Sequence, residues 1–325
     1  MLLFFSAILI GLFILIWSAD KFVIGAVASA LRLGMTPMMV GLTIVAFGTS
    51  APELIVSATA ALSDASHLAI GNAIGSNIAN IALVLGATAL VSAIPVKKSI
   101  LKLELPVLVV ATLIASFLVY DGALTLLDGF GLLTTLFLAL FILAKFQENN
   151  PAEIEDIDDI QSLTPFKAYA LLAFSVILLI ASSKLLVWGA VGVATSWGVS
   201  KLVIGLTIVA IGTSLPELAA SLASAKQGHH DLALGNIIGS NLFNLLAVLA
   251  IPAFLATDTI SFIPIDDIVL YRDYALMLIL TLGLALFALI KNKIGKSCLG
   301  KPFGLILLVI YFTYLIFLYL QSATA

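Results

Sequence analysis

The stretch "GLTIVAFGTSAPELIVSATAALS", residues 41–63, begins like a membrane helix and then sets Gly48, Thr49, Ser50, Pro52 and Glu53 near its middle. A carboxylate at the centre of a bilayer costs about 3 kcal/mol, so it is retained where it faces protein, water or an ion rather than lipid. Proline lacks an N–H and its ring clashes with the carbonyl four residues back, here that of Gly48. It also disfavours the α region for the residue before it. The helix is therefore expected to open around residues 46–50. Freed carbonyls at that depth are tolerated only where they face protein or a water-filled cavity.

The same stretch occurs twice. Residues 205–227 read "GLTIVAIGTSLPELAASLASAKQ", and the offset is 164 throughout. It continues without a gap, with "LAIGNAIGSNIAN" at 68–80 set against "LALGNIIGSNLFN" at 232–244. Of the 40 positions from 41 to 80, 23 are identical at that offset. Chance likeness between apolar helices would match Leu, Ile and Val. Here Gly48, Thr49, Ser50, Pro52, Glu53, Asn72, Ser76, Asn77 and Asn80 are repeated as Gly212, Thr213, Ser214, Pro216, Glu217, Asn236, Ser240, Asn241 and Asn244. A second opening is expected around 210–214.

The rest of the chain fits a membrane setting. Of its 325 residues, 62% are hydrophobic and 10% charged, with mean hydropathy +1.21. Soluble domains carry about 25% charged residues. The small net charge of −3 gives no sign of nucleic-acid binding, and the single Cys298 excludes an intrachain disulfide and a cysteine metal cluster. No GxGxxG, Walker loop or HExxH is present, so the sequence suggests neither an enzyme nor a cofactor. The opening "MLLFFSAILIGLFILIWSADKF" has no Lys or Arg before Lys21 and is expected to be a retained first span rather than a signal peptide.

Windows of about 20 apolar residues fall at 2–19, 36–62, 68–94, 105–120, 125–146, 166–186, 200–225, 230–256, 273–291 and 302–320. With both termini outside, 12 of the 15 Lys and Arg lie in inner loops; Lys184, Lys201 and Arg272 are the three outside. The positive-inside rule selects that orientation in the cytoplasmic membrane. Between the fifth and sixth spans, Glu148, Glu153, Glu155, Asp156, Asp158 and Asp159 mark a solvated linker. It lacks the ligand and glycine spacing of an EF-hand.

The expected fold class is therefore an all-α polytopic membrane protein of ten transmembrane helices. Two five-helix repeats, 1–146 and 166–325, flank the linker 147–165. Five is odd, so the second repeat enters from the opposite side, giving inverted repeats with broken helices at the midplane.

Among the 18 Asp and Glu, only Glu53 and Glu217 fall deep in expected spans; Glu104 lies near a span end and the others in or beside loops. Ser76 and Asn80 share a helix face with Asn72 one turn earlier, and Ser240, Asn244 and Asn236 repeat that face. Gly71 and Gly75, like Gly235 and Gly239, are four apart and allow close helix approach. Packing four such helices gathers two Glu, two Thr and several Ser and Asn. Carbonyls, hydroxyls, amides and carboxylates are hard oxygen donors suited to Ca²⁺, Mg²⁺ or Na⁺. One Ca²⁺ neutralises two carboxylates, whereas Na⁺ does so only as several ions. Taken singly, a serine back-bonds to its helix, a glycine packs and a proline kinks. It is the duplicated set with two deep glutamates that asks for an ion. His67, His229 and His230 are expected at the surface.

At these residues the chain resembles the cation/calcium exchanger superfamily, most closely its bacterial sodium/calcium exchanger-like members. "GTSAPE" with "GNAIGSNIAN", and "GTSLPE" with "GNIIGSNLFN", match the two α-repeats of that family, about a quarter of the chain. The resemblance implies that Glu53 and Glu217 are central Ca²⁺ carboxylates and that Thr49 and Thr213 supply carbonyls to that ion. It implies flanking Na⁺ sites at Ser50, Ser214, Ser76, Ser240, Ala46 and Ala210. Asn80 would stand at the centre with its mate Asn244, a position where some relatives carry Asp. The implied function is Na⁺/Ca²⁺ antiport by alternating access, with a monomer in the lipid bilayer as the unit and the first and sixth helices sliding past a fixed core.

Three other functions fit part of the pattern. A buried carboxylate is also a proton carrier, so H⁺/Ca²⁺ exchange is the nearest alternative. The surrounding Ser and Asn favour Na⁺, since protons need no extra ligands. A passive cation channel would conduct without a counter-ion, and a non-transporting scaffold would tolerate loss of both glutamates.

Overall fold

In hydrocarbon every backbone polar group must be paired within its own segment, so long apolar runs become helices. The structure, a computed structural model, describes residues 1–63, 65–146, 163–198, 208, 210–255, 262–295 and 298–324. In chain order the helices are α1 (Leu2–Leu33), α2 (Pro37–Thr49), α3 (Ala51–Leu62), α4 (Ser66–Val91), α5 (Lys98–Leu118), α6 (Leu126–Phe146), α7 (Pro165–Ser196), α8 (Ala210–Thr213), α9 (Leu215–Lys226), α10 (His230–Leu255), α11 (Val269–Lys293) and α12 (Lys301–Thr324). Eight of them are long and apolar enough to cross a membrane, and α2 with α3 forms one further pair bent by 42°. The chain is an all-helical integral membrane protein. The expected windows at 2–19, 36–62, 68–94, 105–120, 125–146, 166–186, 230–256, 273–291 and 302–320 all coincide with helix. Part of the window 200–225 and most of the linker 147–165 lie outside the described residues.

Two helices are much longer than their apolar windows. α1 and α7 each run 32 residues, about 48 Å at 1.5 Å per residue. Asp20, Lys21 and Lys184 therefore sit inside helices rather than at span ends, because a charged side chain that reaches solvent does not interrupt the backbone ladder. α1 stops instead at Gly34, whose left-handed φ of 63° lets its N–H bond back to Leu31 O. Arg272 and Asp273, expected in or beside a loop, lie within α11. They pair at 2.6 Å, Tyr314 donates to Asp273 at 2.9 Å, and Arg272 also bonds Gln321. Glu104 is buried as well. Glu53 and Glu217 are thus not the only carboxylates removed from solvent.

α1 packs lengthwise on α7 through glycines. A Cβ on Gly25 would lie 2.7 Å from the backbone of Leu172, and one on Gly189 would lie 2.7 Å from Phe4 O and 2.9 Å from Ile8. Arg32 donates to Leu163 O at 2.7 Å, tying the end of α1 to the start of α7. α10 lies against α2 in the same manner: a Cβ on Gly235 would meet Met38 O at 2.5 Å, and one on Gly239 would meet Leu42 O at 2.4 Å. Around Gly71 and Gly75 no described atom comes within 4 Å of such a Cβ. Residues 202 and 206, which stand 164 after Met38 and Leu42, lie outside the described residues. α4 and α10 are the most buried of the crossing helices.

Two short antiparallel strand pairs tie loops together. β1 (Ile94–Pro95) pairs with β4 (Cys298–Leu299), and β2 (Ala123–Thr125) pairs with β3 (Phe262–Pro264). His67 is exposed and stands 3.8 Å from Asp266. His229 and His230 are half-buried rather than at the surface. Burial and the neighbouring His230 hold the His229 imidazole below its ordinary value.

Candidate cation site

The breaks place both glutamates at helix starts. Ser50 leaves the helical region (φ −79°, ψ 2°), and α3 begins at Ala51 with Pro52 second and Glu53 third. Ser214 (φ −88°, ψ 5°) does the same for Leu215, Pro216 and Glu217 of α9. The departure falls one residue before the position expected from proline sterics. Pro52 sits in the first turn, where a missing N–H costs nothing because it has no intrahelical partner. The positive end of a helix dipole favours a carboxylate at that position.

α4 and α10 supply the opposite wall. Each turns π-helical at its midpoint, over Asn80–Leu85 and Asn244–Val248. Such turns shift the carbonyl pattern and are frequent at functional sites. Ser57 of α3 donates to Val248 O at 2.9 Å, and Thr88 donates to Val84 O at 2.7 Å.

Residues from both repeats meet here. Thr49 Oγ1 donates to Asn236 Oδ1 at 3.1 Å and lies 3.3 Å from Ser240 Oγ. Ser50 Oγ donates to Glu217 Oε1 at 3.5 Å. Glu217 is close enough to Glu53 for their charges to repel, and Ser76 stands beside Glu53. Ala46, Thr49, Ser50, Glu53, Ser76, Asn80, Ser214, Glu217, Ser240 and Asn244 are all buried. Thr213 is half-buried, and Ala210 opens α8. Asn77 and Asn241 share the repeated polar pattern but point back to carbonyls of their own helices, at 3.0 and 2.7 Å from Ala73 O and Ile237 O.

The unpaired atoms are the most informative feature. Both carboxylate oxygens of Glu53, Oε2 of Glu217, both amide atoms of Asn80 and of Asn244, and Ser214 Oγ have no hydrogen-bond partner among the described residues. Buried polar groups are almost always satisfied, and each one left unpaired costs about 1–3 kcal/mol, more when charged. A set of this kind in one place fits a cation held by oxygen. Among the described residues no group of three or more His, Cys, Asp or Glu forms a separate metal site. The donors are hard oxygens, which suit Na⁺ and Ca²⁺ over copper or zinc.

Four further residues belong with the site. Asn236 Nδ2 donates to Ser221 Oγ at 3.0 Å and to Glu217 O at 3.5 Å, and Asn72 Nδ2 donates to Glu53 O at 3.3 Å. These amides hold the backbone of the glutamates. Ser57 and Ser221 are buried one turn after Glu53 and Glu217. Their identity at the 164-residue offset is the sequence signal that could have found them.

Comparison with known proteins gives a consistent answer. The family model described as "Sodium/calcium exchanger protein" matches residues 3–145 and 167–320. The putative antiporter CaxA of Alkalimonas amylolytica is 45% identical over 94% of this chain and 96% of its own length. The sodium/calcium exchanger MaX1 of Methanosarcina acetivorans is 29% identical over 76% of this chain and 81% of its own. Among solved structures, the sodium-calcium exchanger NCX_Mj soaked with 10 mM Na⁺ and zero Ca²⁺ superposes with a TM-score of 0.81 at 34% identity, covering 96% of this chain and 97% of that one. The doubled break, the oxygen-lined site and these matches together place the chain in the sodium/calcium exchanger family.

Proposed function

We propose that the protein is a secondary active antiporter that exchanges Na⁺ for Ca²⁺ across the cytoplasmic membrane by alternating access, with the monomer as its unit. Glu53 and Glu217 take the central Ca²⁺, with backbone carbonyls of Thr49 and Thr213. Ser50, Ser214, Ser76, Ser240, Ala46 and Ala210 serve flanking Na⁺, and Asn80 and Asn244 line the centre. The observation that carries this reading is the cluster of buried carboxylate and amide atoms without partners. Two carboxylates carry −2, which one Ca²⁺ neutralises and several Na⁺ neutralise by spreading over the flanking oxygens. A site that accepts either filling, but not both, couples the two ions.

The strand pairs support ten crossings in two inverted halves, 1–146 and 166–325, joined by 147–165. Paired strands lie on one side of a membrane, so an even number of crossings separates them. Between β1 and β4 run α5, α6, α7, α10 and α11, and the count is even only if the stretch between α7 and α10 also crosses. The helix contacts support the same symmetry. Gly25 packs on Leu172 and Gly189 packs on Ile8; Gly189 stands 164 after Gly25 and Leu172 stands 164 after Ile8, so the repeat offset exchanges the two contacts. In this mechanism the α1–α7 pair slides across the core made by α2–α4 and α8–α10, opening the site to each side in turn.

H⁺/Ca²⁺ exchange is the second reading, because a carboxylate pair can carry protons. The hydroxyls and amides around the glutamates favour Na⁺, which needs them as ligands. Purified protein in sealed Na⁺-loaded vesicles, diluted into Na⁺-free buffer at constant pH, separates the readings. ⁴⁵Ca²⁺ uptake is expected to require the Na⁺ gradient and to vanish in Glu53→Gln and in Glu217→Gln. Uptake driven by a pH gradient alone would replace Na⁺ with H⁺; uptake without either gradient would make the protein a channel.

A further inference from the structure

A groove of about 400 Å³ runs between α5 and α6 on the outer face of the bundle, away from the cation site. One side is formed by Leu103, Pro106, Val107, Val110, Ala111 and Ile114, and the other by Thr135, Leu138, Ala139 and Ile142; Lys102 stands at one end. The two alanines are buried and form the floor. They are small, so the larger side chains around them stand as walls and leave the channel open.

We propose that this groove binds one acyl chain of an anionic phospholipid, with Lys102 against the lipid phosphate. Three observations select that occupant. The first is depth. From Lys102 to Ile114 the helix rises about 18 Å, close to the roughly 15 Å of hydrocarbon in one leaflet. The second is charge. Lys98, Lys102 and Lys145 are exposed at the same end of the α5–α6 pair, and Lys145 lies 5.7 and 5.4 Å over the rings of Phe141 and Phe146. Clustered lysines at the end of membrane helices recognise anionic headgroups. The third is availability. Lys97 is tied to Asp231 at 2.6 Å, and Arg272 on α11 is tied to Asp273, whereas Lys102 has no ion pair among the described residues. Its end of the groove is the one adjoining the segment 147–165, so the lipid belongs to the leaflet on that side.

Native mass spectrometry of the full chain in mild detergent tests this without relying on transport. Phosphatidylglycerol and phosphatidylcholine of matched acyl chains are the probes. The wild type is expected to retain phosphatidylglycerol in preference to phosphatidylcholine. Lys102→Gln is expected to weaken phosphatidylglycerol by about fivefold, the worth of one basic residue at an anionic surface, and to leave phosphatidylcholine unchanged. Val110→Trp, which fills the groove from an exposed position, is expected to weaken both lipids. A preference that survives Lys102→Gln, or binding of both lipids undiminished by Val110→Trp, would overturn the assignment. So would a preference absent from the wild type that emerges when Glu148, Glu153 and Glu155 are changed to Gln, since the acidic segment would then be what holds Lys102.

Discussion

Asn236 shows how much a side chain outside the proposed ion shell carries. Its carbonyl accepts from Thr49 and its amide donates to Ser221 and to Glu217 O, so one residue joins α2, α9 and α10. Among the described residues Asn72 makes one such bond, to Glu53 O. Asn236→Leu leaves several buried polar atoms without a partner, at about 1–3 kcal/mol each, and frees the backbone that aims Glu217. The expected result is at least a tenfold rise in the Ca²⁺ concentration for half-maximal uptake, with a lower melting temperature. Asn72→Leu is expected to do less on both counts. Equal effects, or a larger effect at Asn72, would mean that these amides do not hold the glutamates as described. The sequence displayed Asn236 as a repeated polar residue, but spacing alone could not distinguish it from Asn241, whose amide turns back to its own helix at Ile237 O.

At the scale of the element, what the sequence made legible was whatever it repeated. The two breaks, the two deep glutamates and the polar faces of α4 and α10 were readable because 164 residues separate identical chemistry. The ends of α1 and α7 were not, since Asp20, Lys21 and Lys184 resemble span ends while the helices run on. The π-helical turns at Asn80 and Asn244 have no sequence signature, and neither do two-residue strands such as Ile94–Pro95. Pro52 makes the break itself testable. Its missing N–H leaves Gly48 O without the bond that an unbroken helix would give it. Pro52→Ala restores a donor, and the helix is expected to straighten through Ser50. The melting temperature should rise, by an amount reflecting about 1 kcal/mol for a regained bond, while Ca²⁺ uptake falls because Glu53 no longer begins a helix. A variant with unchanged uptake would show that the break does not depend on proline. Gly239 supplies the opposite test: Gly239→Ala puts a Cβ 2.4 Å from the backbone oxygen of Leu42. Overpacking against backbone costs about 1–3 kcal/mol or more, so the variant should melt lower, whereas Gly283→Ala, with no described atom within 4 Å of its Cβ, should melt like the wild type.

At the scale of the whole molecule, the strand pairs and the basic residues bear on one question: which loops share a side. The loop charges favour an inner linker with both termini outside, and the pairing of β1 with β4 and of β2 with β3 requires one side for each pair. In the proposed topology α5 crosses between β1 and β2, which sets residues 98 and 120 on opposite sides, and one further crossing by α6 returns Thr164 to the side of Lys98. Single cysteines at Leu2, Lys98, Tyr120 and Thr164, in a Cys298→Ser background, read this directly with a membrane-impermeant maleimide. Leu2 and Tyr120 are 83% and 79% exposed within the protein itself, so no neighbouring side chain covers either position. In intact cells, cysteines at 2 and 120 are expected to react, and those at 98 and 164 only after permeabilisation. The reverse pattern would invert the molecule and move the Lys102 lipid to the other leaflet. Labelling of 98 and 164 from different sides would break the parity on which the ten crossings and the inverted halves both rest.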